Sequence, residues 1–250
     1  MPVAHRKSLV AKILLGLCLC HPAAALVVDP PLPVADYDFT GWLGDAAGNG
    51  ATLTKVGAAA LAYVPVTADG VDRLALAVPA GAGLRLALGP LLPQQEYSVA
   101  MIVSMSGTSS YAKLLDTNDL AEDVGLYALG NDLNYYTGGS ASNDAFPADT
   151  LLQVVVTRAP DGTYVGYLDG VQQFTFVDTE ASGQFTAIAA ARTLHFLRDD
   201  NDTGNSEEAA GVLHRVRLFD RVLTPAEVTA LESNRRPESI FRGGGFEELP

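Results

Sequence analysis

The sequence predicts an all-β fold, an antiparallel two-sheet sandwich with one short C-terminal helix. Three observations predict it. Short runs of apolar and β-branched residues recur along the chain, each bounded by Gly, Asn, Asp or Pro. Only one segment carries helix start signals. The length suits one large β-domain, since sandwiches commonly reach roughly 200–250 residues as a single unit.

The first 25 residues read as an export signal. Arg6 and Lys7 form a positive n-region, residues 13–20 a short apolar stretch, and the alanines at 23–25 a small-residue cleavage site. The stretch is well short of the roughly 20 apolar residues that a membrane-spanning helix needs, so no membrane insertion is expected. Leucine precedes both Cys18 and Cys20, where lipoprotein processing requires a small residue. Cleavage near Ala25 is therefore the expectation, with a secreted, extracellular or periplasmic product. Both cysteines leave with this segment, so no disulfide would staple the mature chain. Loss of Arg6, Lys7 and Lys12 takes the formal net charge from −13 to −16. A chain so acidic lacks the basic patch that nucleic acid or an anionic membrane surface would demand. The 225 residues that remain can bury about 70% of their unfolded surface, and a monomer is expected.

The elements follow in order. Residues 26–35 form an extended lead-in, because the prolines at 30, 31 and 33 disfavour helix. The domain proper is expected at 36–234. Its clearest strands are "LALAV" (74–78), "LRLAL" (84–88), "YSVAMIVSM" (97–105), "LLQVVVTR" (151–158) and "LHFLR" (194–198). The stretch 151–176 reads as a three-stranded meander. Asp169-Gly170 suits a type I′ hairpin turn, and Pro160-Asp161-Gly162 a type I turn closed by a left-handed glycine. Phe174 and Phe176 share a face by the period of two and are expected in the core. The helix lies in "LTPAEVTALES" (223–233): Thr224 as N-cap, Pro225 at the first helical position and Glu227 completing a capping box. Leu223 and Val228 make a hydrophobic staple, and Val228 with Leu231 faces the sheet. Residues 235–250 are expected to be a flexible tail.

The closing unit "GVLHRVRLFDRVLTPAEVTAL" (211–231) resembles the last strand and terminal helix of the laminin G-like, concanavalin A-like jelly rolls of exported bacterial proteins. "GTYVGYLDGV" (162–171) is similar to that family's central strand and turn. "LHFLRDDNDTGNSEEAAG" (194–211) is similar to its penultimate strand and acidic loop, and "DFTGWLGDAAGNGATL" (38–53) to its first strand and loop. The resemblance implies a jelly roll. It says less about ligand, since this fold carries lectins, glycanases, lyases and adhesive modules.

The acidic loop "RDDNDTGNSEEAAG" (198–211) is the candidate metal site. Counted from Asp199, acid, amide and hydroxyl fall at the first, third and fifth positions and Gly204 at the sixth, as in the opening half of an EF-hand loop. The twelfth position is Ala210, where a bidentate Glu belongs, so the register supplies half a cage. Candidate ligands for a structural calcium are Asp199, Asn201, Asp202, Glu207 and Glu208. The resemblance, in which calcium lies between rim loops, adds Asp45 and Asn49. The other reading is a solvated acidic hairpin loop.

A candidate sugar platform gathers Tyr111, Tyr127, Tyr135 and Tyr136 with Asn131, Asp132 and Asn134; Trp42 is a further aromatic outside the core runs. Aromatic faces suit the apolar side of a pyranose, and amides its hydroxyls. Adjacent Tyr135 and Tyr136 on a strand point to opposite faces, so one surface uses at most one of them. Packing within the sandwich is the alternative role. Evidence for catalysis is thin. Asp36 and Asp38 have the spacing of a glycanase pair without a third acid. His195 and His214, alternating with apolar residues, are expected on the solvent side of their strands. The expected function is a non-catalytic recognition module for glycans. The alternative is a structural module adhering to a cell-surface protein, and the third a glycan-active enzyme.

Overall fold

The computed structural model describes residues 28–68, 71–204 and 206–233. The export signal and the tail at 235–250 lie outside the described residues. Strands in chain order are β1 (Ala35–Tyr37), β2 (Thr54–Gly57), β3 (Ala62–Ala68), β4 (Val71–Val78), β5 (Ala82–Ala87), β6 (Tyr97–Met105), β7 (Ala112–Asp116) and β8 (Gly125–Leu129). They continue as β9 (Asp132–Tyr136), β10 (Gly139–Ser140), β11 (Leu152–Arg158), β12 (Thr163–Leu168), β13 (Val171–Val177), β14 (Thr193–Phe196) and β15 (Gly211–Phe219), followed by helix α1 (Pro225–Ser233).

They form two antiparallel sheets. One has eight strands in the order β13-β12-β11-β6-β15-β4-β3, with β1 also paired to β15; the other has seven in the order β10-β9-β8-β7-β14-β5-β2. The sheets pack face to face as a jelly-roll sandwich. Alternation supplies the core: Val99, Met101, Val103 and Met105 of β6 and Val154 and Val156 of β11 meet Leu84, Leu86, Leu126, Leu133 and Leu194 from the facing sheet. In β15 a bulge between Leu213 and Arg215 inserts one residue, so Leu213 and Val216 both reach the core three positions apart.

The turn chemistry is as the sequence requires. Asp169 and Gly170 have φ of 44° and 81°, the two positive values of a type I′ turn, and Gly162 closes the preceding turn at φ 87°. Phe174 is buried and Phe176 packs against the same core. The helix start is a reciprocal capping box: Glu227 N donates to Thr224 Oγ1 at 3.3 Å and Thr224 N donates to Glu227 Oε2 at 2.9 Å. Arg221 adds an ion pair to Glu227 at 2.6 Å and, with the Thr224 amide, holds its carboxyl down at about 2. Leu223, Val228 and Leu231 bury against Phe219, Ala100, Val155 and Tyr167, so α1 covers the outer face of the eight-stranded sheet. That leaves the outer face of the other sheet for the loops.

Candidate functional site

The outer face of the seven-stranded sheet carries a row of polar residues. Asn134 lies opposite Tyr127, Tyr127 opposite Lys113, Asp116 opposite His195, and His195 opposite Arg85. A bulge in β7 makes this row possible. Lys113 and Asp116 are three apart and would face opposite ways on a regular strand; the extra residue, with Leu114 and Leu115 both turned to the core, puts them on one face. Their side chains approach to 3.7 Å.

One half of the row is roofed by two loops, 117–124 and 197–210. Lys113 Nζ, fully buried, donates to Asp200 Oδ2 at 2.8 Å and to Tyr127 Oη at 2.5 Å. Tyr127 in turn donates to Asp123 Oδ1 at 3.0 Å. Asp200 Oδ1 accepts from the amides of Asp202 and Thr203 at 2.9 and 3.3 Å. Burial alone would raise the Asp200 carboxyl, but the Lys113 bond and charge with those amides hold it below its ordinary value. Asp199 Oδ2 accepts from Thr203 Oγ1 at 2.8 Å and Glu207 N at 3.0 Å. Its Oδ1, and Glu207 Oε2, are buried without hydrogen-bond partners. Burial, then the charges of Asp123 and Asp199, push the Glu207 carboxyl up.

Asp123, Asp200 and Glu207 each bring a carboxylate oxygen within 4.8 Å of the others. Asp116 and Asp200 lie against the Lys113 ammonium, and Asp123 and Glu207 gather beside Asp200. Three carboxylates so close together, with the buried Glu207 Oε2 unpaired, fit a hard cation. Of the sequence-derived ligands only Glu207 belongs to this trio; Asp199 meets it through the Glu207 amide. Asp45 does not: its two oxygens accept four amides, from Asp36, Ala47, Asn49 and Gly50 at 2.6–2.9 Å, and staple loop 45–50. Asn49 donates Nδ2 to Val34 O. Asn201 and Asp202 are exposed, and Glu208 is paired with Arg198. Asp123 and Asp200 were not among the ligands expected from the sequence; Asp123 lies on another loop and comes beside Asp200 only in the folded sheet.

His195 corrects the expectation of a solvent-side histidine. Its phase on β14 is as read, away from Leu194 and Phe196, but that side is roofed and only 3% of the residue is exposed. Its Nε2 lies 3.0 Å from Asp119 Oδ1 of the covering loop, and burial lowers its pKa against that partner's pull. His214 is half-buried.

The other half of the row is open. Tyr111 and Tyr136 are 36% and 38% exposed, with ring centroids 6.0 Å apart and planes at 88°. They line a concavity of about 300 Å³ with Asn134, Thr137, Gly138 and Ser140. Tyr127 is buried beneath, edge-on to Tyr111 at 5.5 Å, so it supports the platform without being part of it. Tyr135 faces the core and packs on Tyr164 and Phe176 at 4.6 and 5.2 Å. The period of two separates it from Tyr136, and its ring is buried away from the surface. Asn131 Oδ1 accepts from Thr108 Oγ1, and Asp132 Oδ1 holds the amides of Asn143 and Asp144 at 2.7 Å; both build the frame. Asn134 Nδ2 donates to Leu129 O and Asp132 O. Trp42 is exposed elsewhere, against Gly44. The sequence reading passed over Gly138 and Gly139. A Cβ at Gly138 would lie 2.1 Å from the Phe176 ring, and one at Gly139 2.8 Å from Phe174, so only glycines let this turn close over the two rings.

A family model described as the concanavalin A-like lectin/glucanases superfamily matches residues 79–229. No curated protein matches the sequence. Among solved structures, domain 4 of AbnA, a GH43 extracellular arabinanase from Geobacillus stearothermophilus, was solved in complex with arabinotriose. It is 19% identical with a TM-score of 0.61, over 80% of this chain and 98% of that one. A botulinum neurotoxin type C structure, described by the dependence of cell entry on two ganglioside molecules, is 13% identical with a TM-score of 0.58, over 81% of this chain and 50% of that one. The receptor-binding domain of the mosaic serotype C/D toxin is 9% identical with a TM-score of 0.55, over 81% and 50%. This chain thus spans about half of the toxin chains it matches, and at these identities the likeness speaks for the fold. With the family match extending over more than half its length, the chain belongs to the concanavalin A-like lectin/glucanases superfamily.

Proposed function

We propose that the domain is a carbohydrate-recognition module acting at or outside the cell surface, with the Tyr111–Tyr136 concavity as its site. The observation that carries this is two exposed tyrosine rings set at right angles beside Asn134. One ring offers a stacking face, the other its edge and hydroxyl, and Asn134 Oδ1 an acceptor for a sugar hydroxyl. The export signal read from the sequence agrees with an extracellular or periplasmic setting. Asp36 is held bidentately by Arg215 at 2.8 and 2.5 Å, and Asp38 caps Thr40, which favours binding over catalysis by that pair. The arabinotriose on the arabinanase domain makes arabino-oligosaccharides the first probes. Tyr136→Ala and Tyr111→Ala are each expected to weaken arabinotriose binding at least tenfold in calorimetry. Tyr135→Ala acts on stability instead, by about 3–5 kcal/mol, as for a large core aromatic. Unaltered binding in both surface variants would overturn the assignment.

A structural calcium is proposed on separate grounds, the close carboxylates of Asp123, Asp200 and Glu207 with the buried Glu207 Oε2 left unpaired. The ion would supply the positive charge these acids lack and tie loop 117–124 to loop 199–208. At 100 times its dissociation constant the linkage is about 2.7 kcal/mol. For a domain of this size that raises the melting temperature by roughly 5–10 °C. An acid whose folded pKa is raised contributes stability below its unfolded value and loses it as pH rises through the folded one. Glu207 is such a group. The calcium-induced gain, compared with chelator, is therefore expected to be larger at pH 7 than at pH 5. No shift at millimolar calcium at pH 7 ends the metal reading.

A further inference from the structure

A second concavity, of about 210 Å³, adjoins the first. The two share Thr137 and Gly138, the turn between β9 and β10, as a common wall. Beyond that wall the second is lined by Phe176, Thr179, Glu180 and Ser182. Phe176 is part-exposed and lies so close to Gly138 that the glycine's missing side chain is what brings the two concavities together. Each therefore has an aromatic ring with hydroxyl, amide or carboxylate partners around it, the composition of a sugar subsite. Each alone is small: the first stands at the lower end of the roughly 300–1,000 Å³ usual for a ligand pocket. Together they make a run joined at a saddle formed by Thr137 and Gly138.

Charge narrows the occupant. Among the described residues lining the two concavities there is no Lys, Arg or His. Glu180 is exposed on the second, while Asp178, also on it, is buried and paired with Arg158 at 3.0 Å. The whole chain is strongly acidic as well, with a formal charge of −13. A sialic or uronic acid would meet repulsion here and no countercharge. We infer that the site takes a neutral linear oligosaccharide that lies across the Thr137-Gly138 saddle, one end between Tyr111 and Tyr136 and the other on Phe176, Thr179 and Glu180. This rests on the carbohydrate reading of the tyrosine concavity and adds to it a length and a charge class.

The test is calorimetry of the full chain with arabino-oligosaccharides of two to five residues, and with tetragalacturonate as the anionic probe. Affinity is expected to rise at least tenfold from the disaccharide to the tetrasaccharide, and tetragalacturonate to bind more weakly than the neutral galacto-tetrasaccharide of the same linkage. In Thr179→Ala/Glu180→Ala the tetrasaccharide-to-disaccharide affinity ratio is expected to fall to within about twofold of one. If the disaccharide and tetrasaccharide bind the parent protein equally, or the double variant keeps the full ratio, the second subsite is wrong while the tyrosine site stands. Tighter binding of tetragalacturonate overturns the charge class. Binding of none of the arabino-oligosaccharides overturns this inference together with the reading it rests on.

Discussion

Lys113→Met is expected to destabilise the domain by about 3–5 kcal/mol in urea unfolding at pH 7, the range for removing one partner of a buried ion pair. The side chain is fully buried and its ammonium serves Asp200, Tyr127 and, more distantly, Asp116. Methionine keeps most of the stem's volume, so the loss is one of charge rather than of packing. Without the ammonium, Asp200 and Asp116 lose their buried cation, with Asp123 and Glu207 close beside Asp200. Asp116 is already pushed up by burial, as is Glu207. Acids of that kind cost stability as pH rises through their folded pKa, so the variant is expected to gain relative to wild type as pH falls from 7 to 5. Lys113→Met/Asp200→Asn removes the carboxylate left unpaired and is expected to recover part of the loss, as a double-mutant cycle would report. Calcium is expected to stabilise the variant more than the wild type, since one cation then stands in for another. A loss below about 1 kcal/mol would mean the ammonium does not carry the charge balance of this face.

Local rules were enough where the chain pairs with its neighbour in sequence. Asp169-Gly170 fixes its hairpin by φ alone, and the Thr224–Glu227 box fixes the helix start, because each is satisfied within a few residues. The alternation of strand residues was legible too, Tyr135 and Tyr136 on opposite faces and His195 away from Leu194, although which tyrosine faced the core was not. What period two does not carry is the roof. Whether an outward face meets water depends on loops that return from elsewhere in the chain. Loop 117–124 buries His195 from 76 positions away, and Lys113 meets Asp200 across 87. For the same reason only part of the acidic cluster was legible in the sequence. The acids at 198–208 are dense enough to draw notice, whereas Asp123 is one acid on an ordinary loop until the sheet sets it beside Glu207. Asp45 misled in the opposite sense. An Asp/Gly/Asn-rich loop looks like a ligand donor, yet four short backbone bonds use its carboxylate to shape the loop itself.

Arg158→Met should be equally costly, about 3–5 kcal/mol, and its effect should reach the binding surface. Arg158 and Asp178 are each about 1% exposed and pair through Nε and Oδ2 at 3.0 Å. Arg158 Nη1 also donates to Gln95 O at 2.7 Å, tying the end of β11 to the segment before β6. Asp178 uses its remaining capacity on the loop after β13. Its Oδ1 accepts from Ser182 N and Oγ at 2.8 and 3.0 Å, and its Oδ2 from Gly183 N at 3.0 Å. Tyr97 then donates to Gly183 O at 2.5 Å, so the loop is pinned from both sheet and core. Removing the guanidinium strands a buried carboxylate, which must take a proton or draw in water, and either change loosens residues 178–183. Four of those residues wall the second concavity, whereas Tyr136 lies on β9 and Tyr111 just before β7. The expected signature is a large loss of unfolding free energy with a weakened gain from lengthening the oligosaccharide. Arg158→Met/Asp178→Asn removes both charges and leaves one carbonyl oxygen to accept from Ser182, at the loss of the Gly183 amide's partner. It should therefore be more stable than Arg158→Met. An Arg158→Met protein as stable as wild type would mean that this pair holds neither the loop nor the wall it builds.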